Sequence, residues 1–280
     1  MTDPNTRETV KQAFLAEAGL GNAARHPLPG DASTRRYERL ETKDGGTLML
    51  MDQPPALESS PCPPDASDAQ RRTMGYNAMA RLAAGRIEAF AACADYLRSR
   101  GLSAPEILRL DAADGLLLSE DLGDGLFARL IEEGRADETT LYLTAIEVLA
   151  HLHEVTPPDV LDGGMGGDWP LLAYDDLALK TGCDLFLEWY PQYDPACTVT
   201  AAAKAEWETL WAPLRRRAGA GATVFIHRDY HAENLLWLPQ RDGVARVGLI
   251  DFQDALRGHP SWDLLSLLQD ARRDVPPEVE

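Results

Sequence analysis

The chain has 280 residues, 45% of them hydrophobic and 26% charged, a balance that describes a folded protein with one large or two modest cores. Its formal net charge of −18 repels nucleic acid and anionic lipid, whose phosphates bind clustered Lys and Arg; solubility explains the charge more simply than a cationic ligand does. No apolar run reaches the roughly 20 residues of a membrane span, residues 1–5 carry no secretory signal, and Cys62, Cys93, Cys183 and Cys197 form no C-x-x-C pair, so a cytoplasmic chain with free thiols, no membrane and no obligate protein partner is expected.

Residues 7–20 read as a short amphipathic helix with Val10, Phe14 and Leu15 on one face and Gly19 near its end. Residues 29–40 form a turn opening into a strand, and 47–51 a second strand after Asp44-Gly45-Gly46, so the pair predicts a β-hairpin. Pro, Ser and Asp mark 54–69 as a loop. A helical stretch runs from 71 to 100 with a break at Gly85. Residues 105–110 and 115–119 predict two more strands, followed by the turn-like 120–125. Beyond Gly125 the pattern is mostly helical, as in 140–153, where Tyr142, Ile146, Leu149, Ala150 and His153 share a face. His151 and His153, two apart, point to different faces and make a poor metal pair. Strands return at 223–226, 234–238 and 246–251. The layout predicts an α+β, two-lobed fold, with 1–121 as a strand-rich lobe and 122–280 as a helical one.

The segment 224–237 holds the strongest chemical signal. An apolar strand delivers a polar loop, a second apolar segment leaves it, and His227, Asp229 and Asn234 stand in the spacing H-x-D-x-x-x-x-N. Phosphoryl transfer to a hydroxyl needs a carboxylate to receive or orient the proton, and an amide oxygen with a second carboxylate to hold Mg²⁺. Asp229 fits the base and Asn234 the amide. The apolar strand 247–250 then ends in Asp251, where the second carboxylate belongs, and Gly258 and Asp263-Leu264 follow. A capped turn between two strands is the plain alternative for Asp229 and Asn234. The addition of Asp251 at the end of its own strand weighs against it.

Residues 227–236 with 249–264 resemble the catalytic and metal loops of the aminoglycoside phosphotransferase and choline kinase superfamily, relatives of protein kinases. Gly30-Asp31-Ala32-Ser33 with Arg35-Arg36-Tyr37, then 51–55, then 120–124, more closely resemble the bacterial anomeric kinases of N-acetylmuramate and N-acetylglucosamine, which serve cell-wall sugar recycling. The likeness spans about 30–275. It implies a protein-kinase-like fold with a small nucleotide-binding N-lobe, ATP and Mg²⁺ as cofactors, and a small-molecule sugar as partner. It implies Asp229 as base, Asn234 and Asp251 as metal ligands, and His227 and Asp263 as supports of the catalytic loop. Gly30, Asp31, Ala32, Ser33 and Thr34 would form the loop over the phosphates through backbone N–H groups. Glu120, Asp121 and Leu122 would form the hinge that pairs with adenine.

One departure stands out. Kinases of this kind carry a Lys on the strand after the phosphate loop, whereas here that strand reads Leu48-Met49-Leu50-Met51 and Lys43 precedes the turn. Arg35 or Arg36 could supply the cation. Glu88 could be its partner acid or an ordinary solvated helix residue. The aromatic group Phe186, Trp189, Tyr190 and Tyr193 reads first as packing. In the helical lobe, where acceptors bind in this superfamily, Asp184, Glu188, Trp189 and Tyr190 could instead form a sugar site. The rivals are an antibiotic or choline kinase on the same fold and a nucleotide-binding scaffold without turnover, the latter favoured by the missing Lys.

Overall fold

The computed structural model describes residues 4–29, 35–54 and 61–280. The expected phosphate loop, Gly30 to Thr34, lies outside the described residues. Helix α1 (Pro4–Glu17) leads into a five-stranded antiparallel sheet of β1 (Arg25–Pro27), β2 (Arg36–Glu41), β3 (Thr47–Asp52), β4 (Ile107–Asp111) and β5 (Leu116–Glu120), in the order β1-β2-β3-β5-β4. Side chains alternate faces along a strand, and this period divides the sheet's work. Leu40, Leu50, Leu116 and Leu118 cover Phe14 and Leu15 of α1, while Met51 and Leu117 point the other way, into the main core. Each such buried Leu contributes on the order of 1.5–3 kcal/mol.

The hairpin of β2 and β3 runs in register from Arg36 opposite Asp52 to Glu41 opposite Thr47, as its turn predicted. Strand β1 has no sequence signal of its own, being three residues long. It is held by Arg25, whose guanidinium binds Glu38 at 2.7 Å and also pairs with Glu8. At the turn between β4 and β5, Gly115 has φ +64° and donates no room for a side chain: a Cβ there would stand 1.9 Å from the Gln53 carbonyl oxygen. The Gln53 N–H in turn donates to the Gly115 carbonyl at 2.9 Å.

The single broken helix expected over 71–100 is three: α2 (Asp68–Met74), α3 (Tyr76–Ala80) and α4 (Ile87–Ser99). Gly75 at φ 100° ends the first, and the left-handed residues Arg81, Ala84 and Gly85 separate the second from the third. Helix α4 buries Ala89, Ala91, Ala92, Cys93 and Ala94, a small-residue surface that lets its neighbours approach closely.

The helical part comprises α5 (Phe127–Glu132), α6 (Glu138–Leu152), the short pair β6 (Val160–Leu161) and β7 (Trp169–Pro170), and the long helices α7 (Asp176–Tyr193) and α8 (Ala201–Ala220). Then follow β8 (Val224–Ile226), β9 (Leu235–Trp237), β10 (Val247–Leu249), β11 (Leu256–Gly258) and α9 (Ser261–Leu268). Strand β9 pairs with β10, and β11 returns to pair with β8. The loops 227–234 and 250–255 therefore both cross between the same two ribbons. This topology alone sets Asp229 beside Asp251.

The expected boundary at 121/122 falls directly after β5, but the main core crosses it. Met51, Ile87 and Phe90 join Tyr142, Phe225 and Phe252, and Phe90 stacks on Phe252 with ring centroids 4.8 Å apart. Among the described residues no helix is long and apolar enough to cross a membrane.

Candidate active site

A cleft of about 310 Å³ opens between the sheet and the loops below it. Met49, Ser119 and residues 120–124 line one end; Asn234, Ile250 and Asp251 line the other. The 120–124 end is held by side-chain bonds. Asp121 is buried and accepts from Arg39 Nε at 2.6 Å and from the Gly123 N–H at 2.9 Å. Burial pushes its pKa up, but Arg39 and Gly123 outweigh it and hold the carboxyl below its ordinary range. Arg39 also reaches Asp124 at 2.9 Å, so one guanidinium spans β2 and the hinge. Gly125 closes the same region. The Trp237 N–H donates to its carbonyl at 2.7 Å, and a Cβ on it would stand 2.7 Å from the Trp237 oxygen.

The loop that carries Asp229 is braced from beneath. Asp263 is fully buried on α9 and accepts the N–H groups of His227 at 2.6 Å and Arg228 at 3.0 Å. Burial pushes its carboxyl up to about 7 despite those donors. Arg228 sits at φ 78°, an unusual conformation costing about 1–3 kcal/mol that the surroundings impose. Its carbonyl accepts from Trp262 Nε1 at 3.2 Å, and its guanidinium lies 5.0 Å from the Tyr174 ring centroid. Tyr230 is buried and donates to the Ala145 carbonyl at 2.8 Å, tying the loop to α6. Burial holds the His227 ring neutral between Tyr230 and Phe252.

Asp229 and Asp251 titrate in opposite directions. Burial, and then the negative charge of Asp251, push the Asp229 carboxyl up. Burial acts on Asp251 in the same sense, but the Arg35 guanidinium and the Gln253 amide overcome it and keep the carboxyl ionised. Arg35 forms an ion pair with Asp251, and its Nη1 donates to Gln253 Oε1 at 2.6 Å. Gln253 Nε2 donates to Asp251 Oδ1 at 3.0 Å. Asn234 Nδ2 donates to the Asp229 carbonyl at 3.0 Å, which turns the amide oxygen away from its own loop. An ionised carboxylate and an amide oxygen are hard donors that suit Mg²⁺ when phosphate oxygens complete the shell. No larger group of His, Cys, Asp and Glu able to hold a metal is found among the described residues.

The other sequence candidates separate. Arg35 lines the cleft, whereas Arg36 is exposed on the opposite face of β2. Glu88 pairs with Arg86, its neighbour two residues away. Asp184, Glu188, Trp189 and Tyr190, read as an acceptor site, line none of the cleft of Asn234 and Asp251. Only the first turn of α7 is buried, through Leu177, Ala178 and Leu179; the later aromatic face packs on α8, with Phe186 stacked on Trp207 at 5.5 Å. Asp184 is taken up by Lys180 at 2.9 Å and by Trp207 Nε1 at 3.2 Å. Arg39, Arg228 and Gln253 escaped the sequence reading, since none belongs to a spaced motif.

A profile of the phosphotransferase enzyme family matches residues 25–280. The N-acetylmuramate/N-acetylglucosamine kinase of Caulobacter vibrioides is 58% identical over 280 residues, all of this chain and 76% of that protein. The kinase of the same name from Pseudomonas aeruginosa is 31% identical over 265 residues, 94% of this chain and 65% of that protein. Among solved structures, an ADP-bound aminoglycoside phosphotransferase aligns with TM-score 0.54 at 13% identity, over 97% of this chain and 78% of its own. A choline kinase from Streptococcus pneumoniae aligns with TM-score 0.54 at 12% identity, over 98% of this chain and 77% of its own. Those two structures speak to the fold alone, and the fold is the kinase-like α+β, two-lobed one.

Proposed function

The chain belongs to the phosphotransferase enzyme family, and from that premise we propose that it transfers the γ-phosphoryl group of ATP to the anomeric hydroxyl of N-acetylmuramate and N-acetylglucosamine. The observation that carries the reading is the meeting of Asp229 with Asp251, which lines the cleft, from two loops, with their carboxyls pushed in opposite directions. Two acids whose environments separate their titration divide the labour between proton transfer and charge.

Asp229, the base, receives the proton of the attacking hydroxyl. An anomeric hydroxyl is more acidic than the other hydroxyls of a sugar, so a carboxylate with a raised pKa is an adequate acceptor. Asn234 and Asp251 hold Mg²⁺, which when bound supplies charge neutralisation at the phosphates. Arg35 reaches the cleft from the N-lobe and supplies the cation that β3 lacks, with Met49 and Met51 where a Lys was expected. The hinge peptides of 120–123 offer main-chain donors and acceptors to an adenine edge. The identity to the curated kinases supports the acceptor class.

The reading is tested by phosphorus NMR. Protein, ATP and Mg²⁺ are incubated with each sugar and with its 1-O-methyl glycoside. A sugar 1-phosphate from the free sugar and none from the glycoside is expected. A glycoside phosphorylated as readily as the free sugar moves the chemistry to another hydroxyl and overturns the anomeric assignment.

A further inference from the structure

A second cavity, of about 370 Å³, has in its wall Gln253, whose amide bonds to the Asp251 carboxylate. Cys62, Arg81, Asp168, Trp169, Gln253 and Leu256 are among its walls. We propose that this cavity is the acceptor pocket and that Arg81 recognises the lactyl carboxylate that distinguishes N-acetylmuramate from N-acetylglucosamine. The assignment rests on the kinase reading above and names the substrate site for it.

Position supports it first. Gln253 is shared: its amide binds Asp251 and Arg35, and the same residue walls the cavity. The segment 80–83, which supplies part of the wall, is tied to both loops. The Ala83 N–H donates to Asp254 Oδ1 at 2.6 Å, and Arg228 Nη1 reaches the carbonyls of Ala80 at 3.3 Å and Asp254 at 3.4 Å. Arg228 immediately precedes Asp229. A ligand in the cavity is thereby held in a constant relation to the base, as near-attack positioning requires.

The lining has the chemistry of a sugar site. Trp169 is half-buried on β7 and offers an aromatic face, Gln253 offers an amide, and Leu256 and Cys62 are apolar and buried. A few directed polar groups on an otherwise apolar wall bind a neutral ring well. The groove between α7 and α8 is aromatic too, but none of its wall residues is hydrogen-bonded to Asp251, as Gln253 is.

Charge then selects the substrate. Arg71 and Arg81 share one carboxylate. Arg71 takes both oxygens of Asp175, at 2.5 and 3.0 Å, and Arg81 Nη2 meets one of them at 2.8 Å. Asp68 approaches Arg71 only at 3.5 Å and is exposed. Arg81 Nε is buried and has no hydrogen-bond partner among the described residues, and its backbone is left-handed at φ 55°. Asp168, the other charged residue of the described wall, sits exposed at the rim. An excess guanidinium with an unanswered donor, on a wall fit for a sugar, calls for an anionic substituent on that sugar. Guanidinium and carboxylate then pair through charge-assisted hydrogen bonds.

The test compares kcat/KM for N-acetylmuramate, for its lactyl methyl ester and for N-acetylglucosamine. Wild type should favour the acid over the ester by about tenfold or more, through KM, the factor expected of one charge-assisted pair. This arm needs no variant. Arg81→Gln should erase that preference, Arg81→Lys should restore part of it, and Trp169→Leu should raise KM for both sugars. Wild type that treats acid and ester alike, or an Arg81→Gln protein that keeps the preference, overturns the assignment while the kinase reading stands. Wild type that phosphorylates neither sugar overturns the kinase reading and this assignment with it.

Discussion

Arg35, which immediately precedes β2, forms an ion pair with Asp251, 216 residues further along the chain, and Gln253 bonds to both. The N-lobe cation thus neutralises the carboxylate proposed to bind Mg²⁺. On the proposed reading, a bound triphosphate would offer the guanidinium a more highly charged partner and would free Asp251 for the metal. Arg35→Ala should therefore raise the dissociation constant of ATP, read by calorimetry, by about 10- to 100-fold, the worth of one hydrogen bond to a charged group. Arg36→Ala, on the exposed face, should change it less than about twofold. Equal effects of the two would remove Arg35 from the phosphate clamp.

Loss of the base and loss of the metal carboxylate should differ in kind. We expect Asp229→Asn to lower turnover by about 10²–10⁴-fold with nucleotide affinity retained, since it removes proton transfer and little charge contact. Asp251→Ala should lower turnover by at least as much and also abolish the Mg²⁺-dependence of nucleotide binding. Near-normal turnover in Asp229→Asn would reassign the base.

The pH profile follows from the direction of the Asp229 shift. The base works only when ionised, and burial with the Asp251 charge raises its pKa above the ordinary 3.8. Turnover should fall as pH drops through a point above that value. An acid limb at or below it would show that the group governing the rate lies outside this environment.

Asp263 offers a stability test separate from catalysis. Its carboxyl titrates near 7 in the folded protein, pushed up by burial, against an ordinary 3.8 when unfolded. Between those values the folded state holds a proton that the unfolded state has released. Stability must therefore fall as pH rises through that window, by at most about 1.4 kcal/mol per pH unit from this group. Asp263→Asn should flatten that slope in denaturant titrations at pH 4.5, 6 and 7.5. Asp263→Ala should cost about 2–5 kcal/mol at any of them, because two buried N–H groups lose their acceptor. Parallel wild-type and Asn slopes would contradict the assignment.

The sequence by itself determined the class of fold and marked the residues proposed for catalysis. His227, Asp229 and Asn234 lie within eight positions of one another, and Asp251 ends its own apolar strand, so spacing and strand pattern were sufficient to find them. The hairpin was legible for the same reason, since a turn signal and period-two burial are local properties. Strands β1 and β11, three residues each, were not legible, because pairing with Leu40 and Ile226 rather than propensity makes them strands. The choice between Arg35 and Arg36 also needed the structure: adjacent residues differ only in which face the pleat gives them. The aromatic face of α7 read first as packing with a sugar site as the alternative, and α8, through Trp207, covers part of it. Arg81, Trp169 and Gln253 come together from segments more than 80 residues apart. No periodicity records such a meeting, because the free energy that brings those segments together resides in the shared core of Phe90, Phe225 and Phe252 and not in the residues that line the pocket.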